Sequence, residues 1–404
     1  MDAPFSLNPF DPEFVRDPFA VYARGRAEQP VFRHQGLPLL SAFRYADVEG
    51  VLRDAANWSS RFPPPPNAKE VWFPEAEDAS MLGQDQPRHT RLRNLVNQAF
   101  TPRMIRALEP RLREVARELL DEALEKRSVD IVDALSHPLP VIAIAEMIGV
   151  PVADRAQFRE WSDLSVENLG EGIGGMPIDP ERARVQVRVA AEMDAYFWEQ
   201  AEQRRRRPQE DLLTGLVNAR IDGRGLGRTE LMAMLQLLLV AGNETTTNLI
   251  GNAVLQFLAH PDELRRLRVE PALLPTAIEE VLRFDSPVQA TVRRAARDLE
   301  VGGVPVQKEE SVLLWLGSAN RDAEFFPEPD RFDVARTPNR HLSFGFGIHF
   351  CLGANLARLE ARVALGGLLE RTRGFARSEP GDPVRSSGFI LRGPKRLSLE
   401  LDPA

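Results

Sequence analysis

The chain has 404 residues, 43% hydrophobic and 27% charged, with a formal net charge of −8. That length buries a large core, and the acidic balance sets aside nucleic-acid backbones as partners. One cysteine excludes an intramolecular disulfide and a multi-cysteine zinc site, and points to a cytoplasmic protein.

The N-terminus has no basic start followed by an apolar run, so no signal peptide is expected. Asn8-Pro9-Phe10-Asp11-Pro12 and Asp17-Pro18 read as turns leading into short elements. Residues 61–83 carry Pro63 to Pro66, which remove donors and fix φ, so this stretch is read as a long loop. Long loops in compact domains commonly serve function. From about Arg88 to Leu282 the pattern is helical, with apolar residues at three- and four-residue spacing, as in Leu108, Leu112, Val115, Leu119 and Leu120. Arg204 to Arg207, beside Pro208, read as a solvated helix end.

Thr229 to about Ala259 reads as one long helix, apolar nearly all round in its first half and therefore running through the core. At ~1.5 Å per residue it spans about 46 Å. Its longest apolar stretch, Leu231 to Ala241, contains Gln236 and is too short to cross a bilayer. After Arg283 short β-like pieces appear, such as Ser311 to Leu316, among Gly and Pro turns. A last helix begins near Leu352 and runs through Leu356, Leu359, Val363 and Leu368. The fold class is mainly α with small β-sheets, in a single domain over 1–404.

Residues 344–360 read F-G-F-G-I-H-F-C-L-G-A-N-L-A-R-L-E. A lone cysteine is ordinarily a small buried hydrophobe. Here Gly345, Gly347 and Gly353 permit an irregular backbone that approaches a flat ligand closely. The helix beginning just after Cys351 turns its unpaired N–H groups and positive dipole end toward the sulfur, and both favour thiolate over thiol. A thiolate binds iron strongly and pushes electron density onto it, which favours O–O cleavage in haem enzymes.

This segment resembles the haem-binding signature of cytochromes P450, Phe-Gly-x-Gly-x-His-x-Cys-x-Gly, with Phe344, Gly345, Gly347, His349, Cys351 and Gly353 at the matching positions. The resemblance implies a cytochrome P450 fold with a long central helix over haem b, Cys351 as the iron ligand and His349 on a haem propionate. Glu280-Val281-Leu282-Arg283 resembles the family's Glu-x-x-Arg motif, whose pair recruits an Arg from a later segment. Arg331, in Phe326 to Phe332, is the candidate, with Arg336 as the alternative. His89-Thr90-Arg91-Leu92-Arg93 and Arg293 resemble the other propionate-binding positions. Ala241-Gly242-Asn243-Glu244-Thr245 resembles the oxygen-binding groove, where Glu244 and Thr245 pass protons to dioxygen. A Gly and three Thr are poor choices inside a helix, which itself marks the segment as functional. Asp17 to Tyr22, Ala319 to Asp322 and Leu391 to Gly393 are similarly family-like, so the resemblance covers most of the chain.

The reaction so implied is R–H + O2 + two electrons + two protons giving R–OH + water, on a mainly apolar small molecule. The substrate wall is expected from 61–83, Leu237, Ala241, Val288, Gln289, Ala290, Thr291, Phe389 and Ile390. Electrons are expected from a ferredoxin and its NAD(P)H-linked reductase, with Arg103, Arg106 and Arg358 as docking residues, since no reductase follows the haem region. The protein is expected to be a monomer free of membrane. Two other readings exist: a peroxide-driven peroxygenase and a catalytically silent haem protein. Relatives of both kinds tend to lack the acid–alcohol pair that Glu244 and Thr245 form.

Overall fold

The computed structural model describes residues 5–61, 80–166, 179–381, 383–385 and 388–404. Helices α1 (Pro12–Arg16) and α2 (Phe19–Glu28) precede strands β1 (Val31–Arg33) and β2 (Leu39–Ala42). Helix α3 (Tyr45–Arg53) and strand β3 (Trp58–Ser59) follow. Next come α4 (Arg88–Ala99), α5 (Pro102–Lys126), β4 (Ser128–Asp130), α6 (Pro138–Ile148), α7 (Arg155–Val166), α8 (Pro180–Arg206) and α9 (Leu212–Asn218). The long helix α10 (Arg228–Ala259) leads to α11 (Pro261–Val269) and α12 (Leu274–Phe284). Strands β5 (Ala290–Ala295), β6 (Leu299–Val301), β7 (Val304–Val306) and β8 (Ser311–Trp315) follow. The chain closes with α13 (Ala354–Arg371), β9 (Thr372–Arg377) and β10 (Ser398–Pro403). This is the mainly helical architecture with small sheets that the sequence predicts.

Two compact units divide the chain. The first draws on Met1–Trp58, Arg111–Leu139 and Thr245–Ala404, the second on Ser59–Pro110 and Pro140–Glu244. The long α10 belongs to both, changing unit between Glu244 and Thr245.

In the first unit a sheet runs β1-β2-β8-β5-β3, with β2 parallel and β5 antiparallel to β8. Every residue of β8 is buried. A strand covered on both faces reads as a continuous apolar run, as Val312-Leu313-Leu314-Trp315 does. Leu40, Val48, Leu52, Val312 and Leu314 form its core with Trp58. Smaller sheets run β4-β10-β9 and β6-β7.

In the second unit α8 begins on Pro180, and Asp179 caps it by accepting from the N–H groups of Glu181 (2.9 Å) and Arg182 (3.3 Å). Its other end corrects one expectation. Arg204 is buried, its Nε donating to Asp211 Oδ2 at 2.9 Å and its guanidinium to the Gly149 carbonyl at 2.7 Å. The first arginine of the run is therefore an internal tie, because Asp211 folds back onto the helix end; Arg205 to Arg207 are exposed.

Candidate active site

The cysteine sits in a loop closed on itself. The Cys351 N–H donates to the Phe344 carbonyl at 2.9 Å, and the Gly345 N–H to the Leu342 carbonyl at 2.8 Å. Gly345 and Gly347 have φ of +70° and +72°, in the left-handed region that favours glycine. At Gly347 space adds a second demand: a Cβ there would lie 2.6 Å from the Leu52 carbonyl oxygen. His349 ends the single turn Gly347–His349 and is half-buried, as are Phe344 and Cys351. Gly353 caps α13, and a Cβ on it would stand 4.0 Å from Cys351 Sγ. The thiol thus lies just ahead of a helix N-terminus, on a backbone held in shape by two glycines.

The loop is braced from behind. Arg358 on α13 grips Glu279 on α12 through two bonds of 2.7 Å, and His341 Nε2 joins the same carboxylate at 3.1 Å. Burial pushes Glu279 up, but the Arg358 and His341 hydrogen bonds and charges outweigh it and bring its carboxyl down to about 2. Arg358 also lies over the Phe344 ring at 4.5 Å. Its charge is thus matched by Glu279, while the side chain keeps 34% of its surface exposed. Arg103 and Arg106 are exposed.

Glu280 and Arg283 form the buried pair that their spacing predicts, two-pronged at 2.8 Å and fully shielded from solvent. Arg283 also donates to the carbonyls of Asn320 and Pro329. The third member is Arg336, whose Nε donates to Glu280 Oε1 at 3.0 Å. Arg331 is not: its guanidinium pairs at the surface with Glu328, and only its backbone carbonyl receives Arg283 and Arg336. A positive φ at Glu328 turns the loop there.

On α10, Leu237, Val240, Glu244 and Thr245 are half-buried and Ala241 is exposed, while Leu231 to Leu235, Leu238 and Leu239 are buried. The open residues recur at three- and four-residue spacing and form one face of the helix. The helix runs without a break through Gly242 and the three Thr. Its second half is anchored by buried amides at four-residue spacing. Asn252 Nδ2 donates to the carbonyls of Asp285 and Arg392, both at 2.9 Å, and Gln256 Nε2 to Asp285 Oδ2 at 2.9 Å. Thr246 is buried and hydrogen-bonds Glu360 of α13, a residue that sequence reasoning missed. The signal was present: Leu356, Leu359, Val363 and Ala364 mark a buried stripe of α13, and Glu360 falls within it.

His89 and Arg93 lie one turn apart on α4, the first buried and the second half-buried; Arg293 is half-buried on β5. Of the expected substrate wall, Val288, Thr291 and Ile390 are half-buried. Gln289, Ala290 and Phe389 are core instead. The Gln289 amide is used internally, accepting from the Tyr22 hydroxyl at 3.0 Å and donating to the Ser286 carbonyl at 2.7 Å. Phe389 packs on Trp315 and Phe10, with ring centroids 5.8 and 5.2 Å apart. Residues 62–79 of the expected loop lie outside the described residues.

Within the first unit the donors suit haem: a half-buried soft sulfur at Cys351, with His349 and Arg293 of the kind that bind carboxylates. Among the described residues no cluster of His, Cys, Asp and Glu offers a competing metal site, and no helix is long and apolar enough to cross a membrane.

Residues 176–401 match the family model for cytochrome P450. The chain is similar to Cytochrome P450 107B1 of Saccharopolyspora erythraea, 42% identical over 404 residues that cover 96% of both proteins. The fold is similar to cytochrome P450 CYP109Q5 from Chondromyces apiculatus, with TM-score 0.89, 39% identity and full coverage of both chains. It is also similar to CYP109E1 from Bacillus megaterium in complex with corticosterone, with TM-score 0.86 and 36% identity over 96% of this chain and 99% of that one.

Proposed function

The chain belongs to the cytochrome P450 family, and from that premise we propose how its residues divide the work of the reaction. It is a P450 monooxygenase that uses haem and dioxygen to oxidise a mainly apolar small molecule. Haem, when bound, supplies the activation of dioxygen. Haem b is the form proposed here.

Cys351 holds the iron through its sulfur. Phe344, Gly345 and Gly353 shape the backbone around it. His349, Arg293, His89 and Arg93 donate to the two propionates, a task that suits planar guanidinium and imidazole groups. Ala241, with Leu237 and Val240, keeps the open face of α10 apolar, which excludes water and orients a C–H bond. Glu244 and Thr245 hold protons at a carboxylate and a hydroxyl and deliver them in turn, as positioned acid–base groups do. Glu280, Arg283 and Arg336 stabilise the fold and take no part in the chemistry. Val288, Thr291 and Ile390 are the remaining candidates for contact with substrate.

The observation that carries this reading is the cysteine loop: the Cys351 N–H on the Phe344 carbonyl, two positive-φ glycines, and a helix that starts at Ala354. A separate redox protein supplies the electrons; a small acidic ferredoxin with an NAD(P)H-linked reductase suits the exposed Arg103 and Arg106. The protein acts as a single-domain monomer in the cytoplasm. Retention of Glu244 and Thr245 argues against a peroxygenase or a silent haem protein.

The test is the difference spectrum of the reduced protein with carbon monoxide, for wild type and Cys351→Ala. A far-red-shifted Soret band lost in the variant supports thiolate ligation. A band at the position of imidazole-ligated or free haem overturns it.

A further inference from the structure

Gln289 is a buried amide one residue after Val288 and two before Thr291, within the first unit. Its backbone N–H donates to the Ile390 carbonyl at 2.7 Å, and the Arg392 N–H donates to the Pro287 carbonyl at 2.9 Å. With the antiparallel bridge between Val288 and Leu391, these bonds pair 287–289 with 390–392 in a short ladder. The ladder fixes Val288 and Ile390, both half-buried, relative to each other. Its Arg392 end is tied down twice. Arg392 Nε donates to Asp285 at 2.8 Å, and Asn252 of α10 donates to the carbonyls of both Asp285 and Arg392. At the other end the Gly317 N–H donates to the Gln289 carbonyl at 3.1 Å, and the Gln289 side chain does the rest. Its Nε2 closes the turn by donating to the Ser286 carbonyl at 2.7 Å, and its Oε1 accepts from the Tyr22 hydroxyl at 3.0 Å.

Tyr22 of α2 is a fixed donor. It is 1% exposed, and its ring packs on Phe14 and Trp315 with centroids 5.7 and 5.4 Å apart. Burial pushes its hydroxyl well above the usual phenol range, so it keeps its proton. Gln289, by contrast, has uneven surroundings. A Cβ on Gly317 would lie 2.2 Å from Gln289 Oε1, so the amide is crowded there. Gln289 also borders a small cavity, shared with Phe14, Tyr22, Leu391 and Arg392, with room for about one water. An amide released by Tyr22 has that cavity to turn into, and the ladder end it holds would loosen.

We propose that Tyr22 is a specificity-determining residue for the oxidation: from α2, through Gln289, it fixes Val288 and Ile390 and so sets the shape of the wall against which substrate lies. It acts at one remove, as a positioning residue, and has no contact with substrate itself.

This rests on the reading of Val288 and Ile390 as substrate contacts, and the experiment separates the two. Haem-loaded wild type, Tyr22→Phe, Gln289→Met, the double variant of these, Val288→Ala and Ile390→Ala are compared by two readouts. One is the ratio of dissociation constants for 4-phenylimidazole and imidazole, titrated by the shift of the Soret band. Both bind through an imidazole nitrogen, but only the first carries a ring that reaches the wall. The other is amide hydrogen exchange in the peptides covering 286–291 and 391–397. Tyr22→Phe deletes one oxygen and keeps the ring packing, so the fold is retained. It is expected to weaken 4-phenylimidazole relative to imidazole by roughly two- to ten-fold, the range that one hydrogen bond commands. Exchange in 286–291 quickens several-fold, while 391–397, held by Asp285 and Asn252, keeps its rate. The double variant matches Gln289→Met alone, because Tyr22 acts only through Gln289.

A lower melting temperature with an unchanged ratio would make Tyr22 a packing residue and overturn the proposal. So would exchange that quickens throughout the molecule, or effects of the Tyr22 and Gln289 changes that simply add. If Val288→Ala and Ile390→Ala leave the ratio unchanged, the reading of these two as substrate contacts fails. Exchange in 286–291 alone then decides for or against Tyr22 as the anchor of the ladder.

Discussion

Arg336 Nε donates to Glu280 Oε1 at 3.0 Å, adding a second guanidinium to a carboxylate that Arg283 already grips from the next helical turn. The Asp333 N–H and Asn339 Nδ2 complete the shell at 3.1 Å each. Glu280→Ala would strand two guanidinium groups in a dry interior and cost about 3–5 kcal/mol. Arg336→Ala, which leaves the Arg283 pair, costs about 1–3 kcal/mol. Arg331→Ala stays within about 0.5 kcal/mol, since its side chain is at the surface. Denaturant unfolding of the three variants checks the order.

Gly347→Ala should fail for two reasons. The residue has φ +72°, and the new methyl would meet the Leu52 carbonyl oxygen at 2.6 Å. The conformation alone costs roughly 1–2 kcal/mol in an L-residue. The collision is with backbone, so the cysteine loop must move. The expected result is weaker haem retention, read as a fall in the ratio of Soret to protein absorbance after gel filtration.

Thr245→Ala should separate electron use from product formation. Product is expected to fall by roughly 10–100-fold, at or below the low end of what a positioned proton donor contributes. NAD(P)H consumption continues, with peroxide making up the difference. Glu244→Gln should slow both, since the carboxylate can no longer take up and pass on a proton. Product and peroxide assays on the same reaction check this.

The buried Glu360 predicts a pH dependence of stability. The unfolded chain releases this proton near pH 4.5 and the folded protein near 8. Between those values the folded state binds more protons, so the contribution of Glu360 is full below pH 4.5 and is lost as pH rises toward 8. Glu360→Gln has no proton to lose. Its stability relative to wild type should therefore rise between pH 5 and pH 8, by about 1–4 kcal/mol. Unfolding curves at both pH values measure it; a constant difference would mean that Glu360 does not titrate in this window.

Removing the brace behind the cysteine should be milder. Glu279→Gln weakens a half-buried carboxylate held by Arg358 and His341. In wild type its low folded value adds stability above the normal carboxylate range, and that stability is lost as pH falls toward 2. The variant should lose this acid sensitivity, as unfolding between pH 5 and pH 3 tests.

The amino-acid sequence by itself determined the parts built from neighbouring residues. The cysteine loop spans ten positions, and the Glu280–Arg283 pair is one helical turn. Each depends on backbone geometry that repeats over short distances. Tertiary structure alone decided which distant groups meet. Arg331 and Arg336 share one irregular segment with no period, and only its fold back toward α12 chose Arg336 for Glu280. Arg204 and Arg358 look like surface charges until Asp211 and Glu279 come to meet them. Gln289 and Phe389, expected against substrate, were claimed by Tyr22 and Trp315 from far along the chain. A long charged or aromatic side chain can satisfy itself at many places. Which place it takes depends on chain reversals whose net stabilisation is a small difference of large terms, and no local pattern records that choice.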